Sequence, residues 1–259
     1  MARSLRHDRP HDYKYLIRRW KAVAAKCGLT LKKYGEAGGF DLYFLKSKVV
    51  ASDAPSIYLS AGIHGDEPGA TEGLLAWAEK NHALARQLNL LIFPCLNPWG
   101  IVCNSRYDEQ GRDLNRSYHN QSIPQIAAQI ALFPDDKFDL AIALHEDYDA
   151  QGVYLYEVQR VKPFWGEDLI KASSRFIGGD PRRMVEGRPA RGGVIRRKID
   201  PELMPDWPEV FIFYFQKVAR IFTIETPSEF HIDDRVGAHV RMIEKAITLC
   251  RGEFSAKAG

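Results

Sequence analysis

The sequence predicts a single α/β domain over residues 1–259, with a mixed, largely parallel central sheet flanked by helices. Three observations carry this. Short continuous apolar runs alternate with segments of helical apolar spacing, as in a sheet covered on both faces. Turn residues punctuate the runs at short intervals. Several runs stop on a polar or charged residue, and in open α/β sheets ligands gather outside the carboxyl ends of strands.

In chain order, Asp12 to Cys27 spaces Tyr15, Leu16, Trp20, Val23 and Ala24 at helical intervals with basic residues between, which predicts an amphipathic helix. Leu29–Tyr34 and Phe40–Lys46 read as strands joined by a turn holding Gly35, Gly38 and Gly39. Ser56–Ala61 is a buried strand, Gly69–Lys80 a helix rich in Ala and Leu, and Asn89–Pro94 a second apolar strand. Pro124–Phe133 is helical, and Phe138–Leu144 is a third strand. Val153–Val158 reads as a strand, Trp165–Ile177 as a helix, and Val210–Phe215 as an apolar run of open type. Arg220–Thr226 is a late central strand and Arg235–Leu249 the closing helix. Ragged ends are expected over Met1 to about Pro10 and Glu253 to Gly259. There is no internal repeat and no low-complexity segment.

Composition narrows the function classes. Hydrophobic residues make up 45% and charged residues 27%, ordinary for a globular protein. A net charge of +3 gives no argument for nucleic acid. No stretch approaches the roughly 20 apolar residues of a membrane helix, so no membrane partner is expected. The N-terminus MARSLRHDRPHDYKY lacks an apolar signal core. Four cysteines without a paired framework fit free thiols in a reducing compartment, so a cytoplasmic address is expected. Oligomeric state is left open.

The strand ends Ser60–His64, Phe93–Asn97, Ala143–His145 and Thr223–Glu225 place polar groups where four apolar runs stop, and they are expected to converge on one crevice. His64 and Glu67, three apart on a turn relieved by Gly65, can point an imidazole and a carboxylate at one ion, each about 2.0 to 2.2 Å from zinc. Alone the motif reads equally as a turn histidine and an acid at a helix N-terminus. His145, distant in sequence but adjacent in the predicted sheet, adds a third ligand. Two His and one Glu leave a position open for water, the catalytic rather than the structural zinc pattern.

Between these lie Asn97-Pro-Trp-Gly100, Asn104-Ser-Arg-Tyr107 and Gly111-Arg-Asp-Leu-Asn-Arg116. With them the sequence resembles the zinc carboxypeptidase family, the peptidases related to carboxypeptidase A, in a short branch near the murein peptide amidases. The family's ordered elements fall here on His64/Glu67, Asn97/Gly100, Arg106, Asp113/Asn115/Arg116, His145 and Glu225, and the resemblance runs from about Ser56 to Pro227. It implies a zinc carboxypeptidase-like fold and one zinc held by His64, Glu67 and His145. It implies that Glu225 is the general base and that Arg106 polarises the scissile carbonyl. Asn115 and Arg116 would grip the free carboxylate of a small peptide or acyl-amino-acid substrate. Each role suits its residue type: a guanidinium is the natural fork for a carboxylate, and a carboxylate beside the metal can take a proton from an acidified water.

The sequence departs from the digestive carboxypeptidases in three places. Asp66 stands where those enzymes often have a basic residue, implying different substrate contacts. Glu146-Asp147 after His145 is an acidic pair, read either as a site for a substrate ammonium or as a cap on a neighbouring helix. The phenol that often closes over the substrate has no clear counterpart; Tyr214 lies in an apolar run and reads as core. The Arg-, Gly- and Pro-rich stretch 180–198 reads as a basic lid or a solvated loop. His7, His11, His82, His119, His231 and His239 read as surface or structural.

Two further readings stand beside a metallocarboxypeptidase. Deacylases of the aspartoacylase and succinylglutamate desuccinylase type share the H-G-x-E and D-L-N-R motifs. They resemble two-domain proteins with a β-rich tail, whereas here Glu225 is followed by enough chain for one helix and a ragged end, which favours the peptidase branch. A murein tripeptide amidase also suits a compact chain. A metal-free binding protein of the same fold is disfavoured, because every ligand and the base are intact.

Overall fold

The computed structural model describes residues 7–134, 137–158, 161–196 and 199–258. The first helix, α1 (Tyr13–Ala24), is N-capped by the Asp12 carboxylate, which accepts from the Tyr15 N–H, and it buries Leu16, Trp20 and Val23. Strands β1 (Leu29–Ala37) and β2 (Phe40–Ser47) form the predicted hairpin. Then follow β3 (Ser56–Ala61), α2 (Pro68–Lys80), the single turn α3 (His82–Ala85), β4 (Asn89–Phe93), α4 (Pro98–Cys103) and α5 (Pro124–Ile130). The second half supplies β5 (Leu140–Asp147), β6 (Tyr154–Glu157) and α6 (Gly166–Ser173), then β7 (Met184–Val185), β8 (Arg188–Pro189) and β9 (Val194–Arg196). Helix α7 (Val210–Phe215), strand β10 (Arg220–Pro227) and the long helix α8 (Ile232–Ala258) complete the chain.

Eight strands form one sheet in the order β1-β2-β4-β3-β5-β10-β6-β9, and β7 pairs only with β8. The central strands β4, β3, β5 and β10 run parallel, while β1, β2 and β6 join antiparallel. The result is the predicted α/β domain with a mixed, mostly parallel sheet.

Alternation along the strands divides the core into two layers. Ile92, Leu140, Ile142, Leu144, Phe222 and Ile224 face one cluster with Trp20 of α1, Trp77 of α2, Leu169 of α6 and Ile243 of α8. Their neighbours Phe93, Ala141, Ala143 and Ile221 face a second cluster with Ile126 of α5 and Phe211 and Phe213 of α7. Burial on both faces explains why the strands read as continuous apolar runs.

Some boundaries differ from the sequence reading. Strand β5 continues past Leu144, because its pairing with β10 runs on to Asp147 opposite Pro227, so His145 lies inside the strand rather than closing it. The run Val210–Phe215 is a helix. Helix α6 stops at Ser173, whose hydroxyl donates to the carbonyls of Ile170 and Ile177. At the C-terminus the ragged end expected from Glu253 is helix through Ala258, and Glu253 is held there by an ion pair with the buried Arg220 guanidinium. At the other end His7 is packed on Glu72, with Nδ1 2.6 Å from its carboxylate, and residues 1–6 lie outside the described residues. Among the described residues no helix is long and apolar enough to cross a membrane, and all four cysteines are free thiols.

Candidate metal centre

The loop after β3 carries His64 into the start of α2, whose N-cap position is Glu67. Strand β5, next to β3 in the sheet, brings His145 alongside. These side chains are buried, with exposures of 2% for His64, 4% for Glu67 and 2% for His145. His64 Nδ1 lies 2.5 Å from Glu67 Oε1, and His145 Nδ1 lies 2.9 Å from Glu67 Oε2. One ligand atom from each of the three lies within 4.8 Å of the others. Two imidazoles and a carboxylate converging at this distance fit a single divalent ion, with donors of the kind zinc takes.

The backs of these ligands are also held. His64 Nε2 faces Asp113 Oδ1 at 3.1 Å. The same carboxyl group takes Arg106 on its other oxygen, at 3.0 Å from Nε and 2.9 Å from a terminal nitrogen. The other Arg106 terminal nitrogen reaches to 3.3 Å from His64 Nδ1. Asp113 also caps the 3₁₀ turn Leu114–Arg116 by accepting from the Asn115 N–H. Carboxylate partners of this kind fix imidazole orientation in metal sites. Asp113, part of the Gly111–Arg116 motif, thus holds both His64 and Arg106, a task that local sequence does not display.

Electrostatics follow from this crowding. Burial disfavours charge on His64, but Glu67 and Asp113 outweigh it and raise its pKa to about 9. Burial likewise works against the Asp113 carboxylate, yet His64 and Arg106 hold it down at about 2. Glu67 is held well below the usual range by the two histidines despite its burial.

Glu225 stands opposite His145 on the neighbouring parallel strand β10. Burial drives its carboxyl well above the ordinary value, only partly offset by His145. Asn115 is tied on one side: its side-chain oxygen accepts from the Glu209 N–H at 2.9 Å, leaving its amide nitrogen 3.4 Å from His145 Nε2. Glu209 is itself locked by Tyr58, Ser60 and Gln129. Arg116 is exposed; it donates to the Asn115 carbonyl and has no ion pair among the described residues.

His64, Glu67, Arg106, Asn115, Arg116 and Glu225 all line one cavity of about 940 Å³, and His145 adjoins it through Glu67. Of the four strand ends expected to converge, the one bearing Asn97 does not reach the cavity. Its side chain accepts from the Gly100 N–H and donates to the Tyr107 carbonyl, so it shapes the loop that presents Arg106. That loop seats on the His64 turn, where the Gly65 N–H donates to the Ser105 carbonyl. A Cβ on Gly65 would fall 1.8 Å from the Gly100 carbonyl carbon, so only glycine fits there.

Other walls were not read from the sequence. Tyr154 and Tyr156 of β6 line the cavity, their hydroxyls on Asp147 and Glu186. Alternation on a strand beside Glu225 was the available signal. Glu186 and Arg188, at the β7–β8 hairpin, place part of the 180–198 stretch on the cavity wall. Asp180 binds Arg182, and Arg196 bridges Glu157 and Glu167, so much of the stretch is pinned; Arg197 and Lys198 lie outside the described residues. Tyr214 packs against the second core cluster, as read. Glu146 turns out to be the cap rather than an ammonium site, accepting from the Gly69 N–H of α2.

Residues 53–165 match the succinylglutamate desuccinylase/aspartoacylase catalytic domain family, and they span the His64, Glu67 and His145 group. The chain is 34% identical to human carboxypeptidase D over 120 residues, covering 38% of this chain and spanning 9% of that protein's length. Its fold is similar to that of a candidate metallopeptidase from Shewanella denitrificans (TM-score 0.81, 21% identity, 93% of this chain and 91% of that one). It is also similar to that of a metallo-carboxypeptidase from Burkholderia cenocepacia (TM-score 0.70, 13% identity, 92% of this chain and 68% of that one).

Proposed function

We propose that this chain is a zinc metallocarboxypeptidase that hydrolyses an amide bond next to a free carboxylate. The observation that carries it is the buried His64–Glu67–His145 group standing beside Glu225 and opening on a cavity that also holds Arg106 and Arg116. His64 and His145 would hold the ion through Nδ1 and Glu67 through its carboxylate. When bound, zinc supplies Lewis acidity that polarises a carbonyl and makes water deprotonable near neutral pH.

The remaining work belongs to the chain. Glu225 takes the proton from the attacking water at its carboxylate and passes it to the leaving amine. Arg106, anchored by Asp113, meets the negative charge that grows on the carbonyl oxygen. Arg116, exposed and without an ion pair among the described residues, receives the substrate carboxylate, and Asn115 donates its amide beside it. The free cysteines support a reducing, cytoplasmic setting for the enzyme.

A second reading is deacylation of an N-acyl amino acid, and the match of residues 53–165 to the desuccinylase/aspartoacylase family favours it. A hydrolysis screen separates the two, with C-terminal peptides, acyl-amino acids and murein tripeptide as substrates. Cleavage of peptides with a free C-terminus is expected; turnover of acyl-amino acids alone would replace the peptidase reading with the deacylase one.

A further inference from the structure

Glu67 occupies the N-cap of α2, yet its side chain makes no cap hydrogen bond to the helix. An N-cap side chain ordinarily accepts from the N–H two or three residues on. Here that carboxylate is turned toward His64 and His145 instead. The vacated task is taken by a different strand. Glu146 Oε2 accepts from the Gly69 N–H, the second residue of α2, at 2.8 Å. The approach needs a glycine, since a Cβ on Gly69 would lie 2.3 Å from the Glu146 carboxylate.

Glu146 is 4% exposed, and Arg235 of α8 matches its charge, one terminal nitrogen lying 2.9 Å from each carboxylate oxygen. Thr226 of β10 donates its hydroxyl to Oε1 at 3.2 Å. The carboxylate thus joins its own strand β5 to α2 and β10, with α8 supplying the countercharge, and each of those first three elements carries a residue of the site one or two positions away. Glu146 follows His145, Gly69 lies two after Glu67, and Thr226 follows Glu225. Strand alternation puts Glu146 and Thr226 on the sheet face opposite His145 and Glu225. Among the described residues no hydrogen bond runs from Glu146 to the side chains of Glu67, His145 or Glu225, so its hold on them passes through the backbone.

We propose that Glu146, neutralised by Arg235, is the substitute N-cap of α2 and a positioning residue for the metal ligands Glu67 and His145. The substitution of caps is what frees Glu67 for the ion. The proposal rests on the metal reading above. If the parent protein binds no zinc, that reading fails; if the parent binds zinc and the variants bind it equally well, this proposal alone fails.

The test measures zinc affinity by competition with a chromogenic chelator, and hydrogen exchange at the Gly69 amide in the metal-free protein. The double variant Glu146→Leu/Arg235→Met removes both buried charges at similar volume, a change that buried ion pairs often tolerate. It should stay folded, expose the Gly69 amide to faster exchange, and lose about 10- to 100-fold in zinc affinity, the range for groups that orient metal ligands. Glu146→Gln, which keeps an acceptor for the Gly69 N–H, should recover most of that loss. Arg220→Lys, where the buried guanidinium pairs with the half-buried Glu253, is the control: it should lower stability and leave zinc affinity unchanged. Zinc bound by the double variant as tightly as by the parent overturns the proposal. Should the double variant not fold, Arg235→Lys, which keeps the charge but not the guanidinium, must weaken zinc severalfold, and parent-like affinity there overturns it equally.

Discussion

Asp113 holds His64 and Arg106 with one carboxyl group: Oδ1 lies 3.1 Å from His64 Nε2, and Oδ2 accepts from the Arg106 Nε at 3.0 Å. The orientation of a candidate metal ligand and that of the arginine proposed to polarise the carbonyl are thereby joined. Asp113→Asn keeps the shape but loses the charge that both partners see. Zinc affinity is expected to fall about 10- to 100-fold, and kcat of the zinc-loaded variant to fall with it, because Arg106 loses its anchor. A zinc titration and a saturation curve check this; loss in neither would separate Asp113 from the site.

Glu225 is expected to be the base. Glu225→Gln retains the side-chain volume beside His145 but cannot accept a proton. Turnover should drop by about 10² to 10⁴-fold while zinc stays bound. Near-normal kcat with full zinc would remove Glu225 from the proton transfer.

The two arginines are expected to divide the substrate between them. A charge-assisted hydrogen bond contributes about 1.5 to 3 kcal/mol, so a substrate with a free carboxylate should be cut at least about tenfold faster in kcat/KM than its amide. Arg116→Ala should erase that difference. Arg106→Ala should slow acid and amide alike, since both share the carbonyl. Equal cleavage of acid and amide by the parent would point to an endopeptidase or a side-chain amidase.

His239 gives the fold a pH dependence. Burial, aided by the Arg235 charge, holds its pKa down at about 3, against about 6.5 in an unfolded chain. Between those values the unfolded chain binds a proton that the native chain does not, so stability is present above the unfolded value and is lost as pH falls toward 3. The slope is at most about 1.4 kcal/mol per pH unit for this one group. Urea midpoints of the metal-free protein, taken between about pH 6 and 4, should fall less steeply for His239→Gln than for the parent. Parallel slopes would mean that His239 is not held neutral.

The sheet was legible because its central strands are covered on both faces and so read as unbroken apolar runs, as in Leu140–Leu144 and Ile221–Ile224. The convergence of His64, Glu67 and His145 was legible because each stands at or near the end of such a run, and parallel neighbours bring those ends together. Helix α7 was not, since six apolar residues show no polar phase to set a period. Nor was the knot at Glu146, which joins residues from β5, α2, β10 and α8 that no local spacing relates. Tyr154 and Tyr156 escaped notice because their places on the cavity wall depend on an antiparallel pairing of β6 with β10. Glu67 misleads in the opposite direction: it does sit at a helix N-terminus, as the simpler reading of its motif had it, but its carboxylate faces the histidines.

The most direct measurement is the zinc content of the purified protein, by elemental analysis, beside that of His145→Ala. The site has three protein donors and one ion's worth of space, so about one zinc per chain is expected in the parent. His145→Ala should lose most of it while its circular dichroism stays that of the folded protein. Stoichiometric zinc of unchanged affinity in His145→Ala, or a parent that takes up no zinc when it is supplied, would contradict the account.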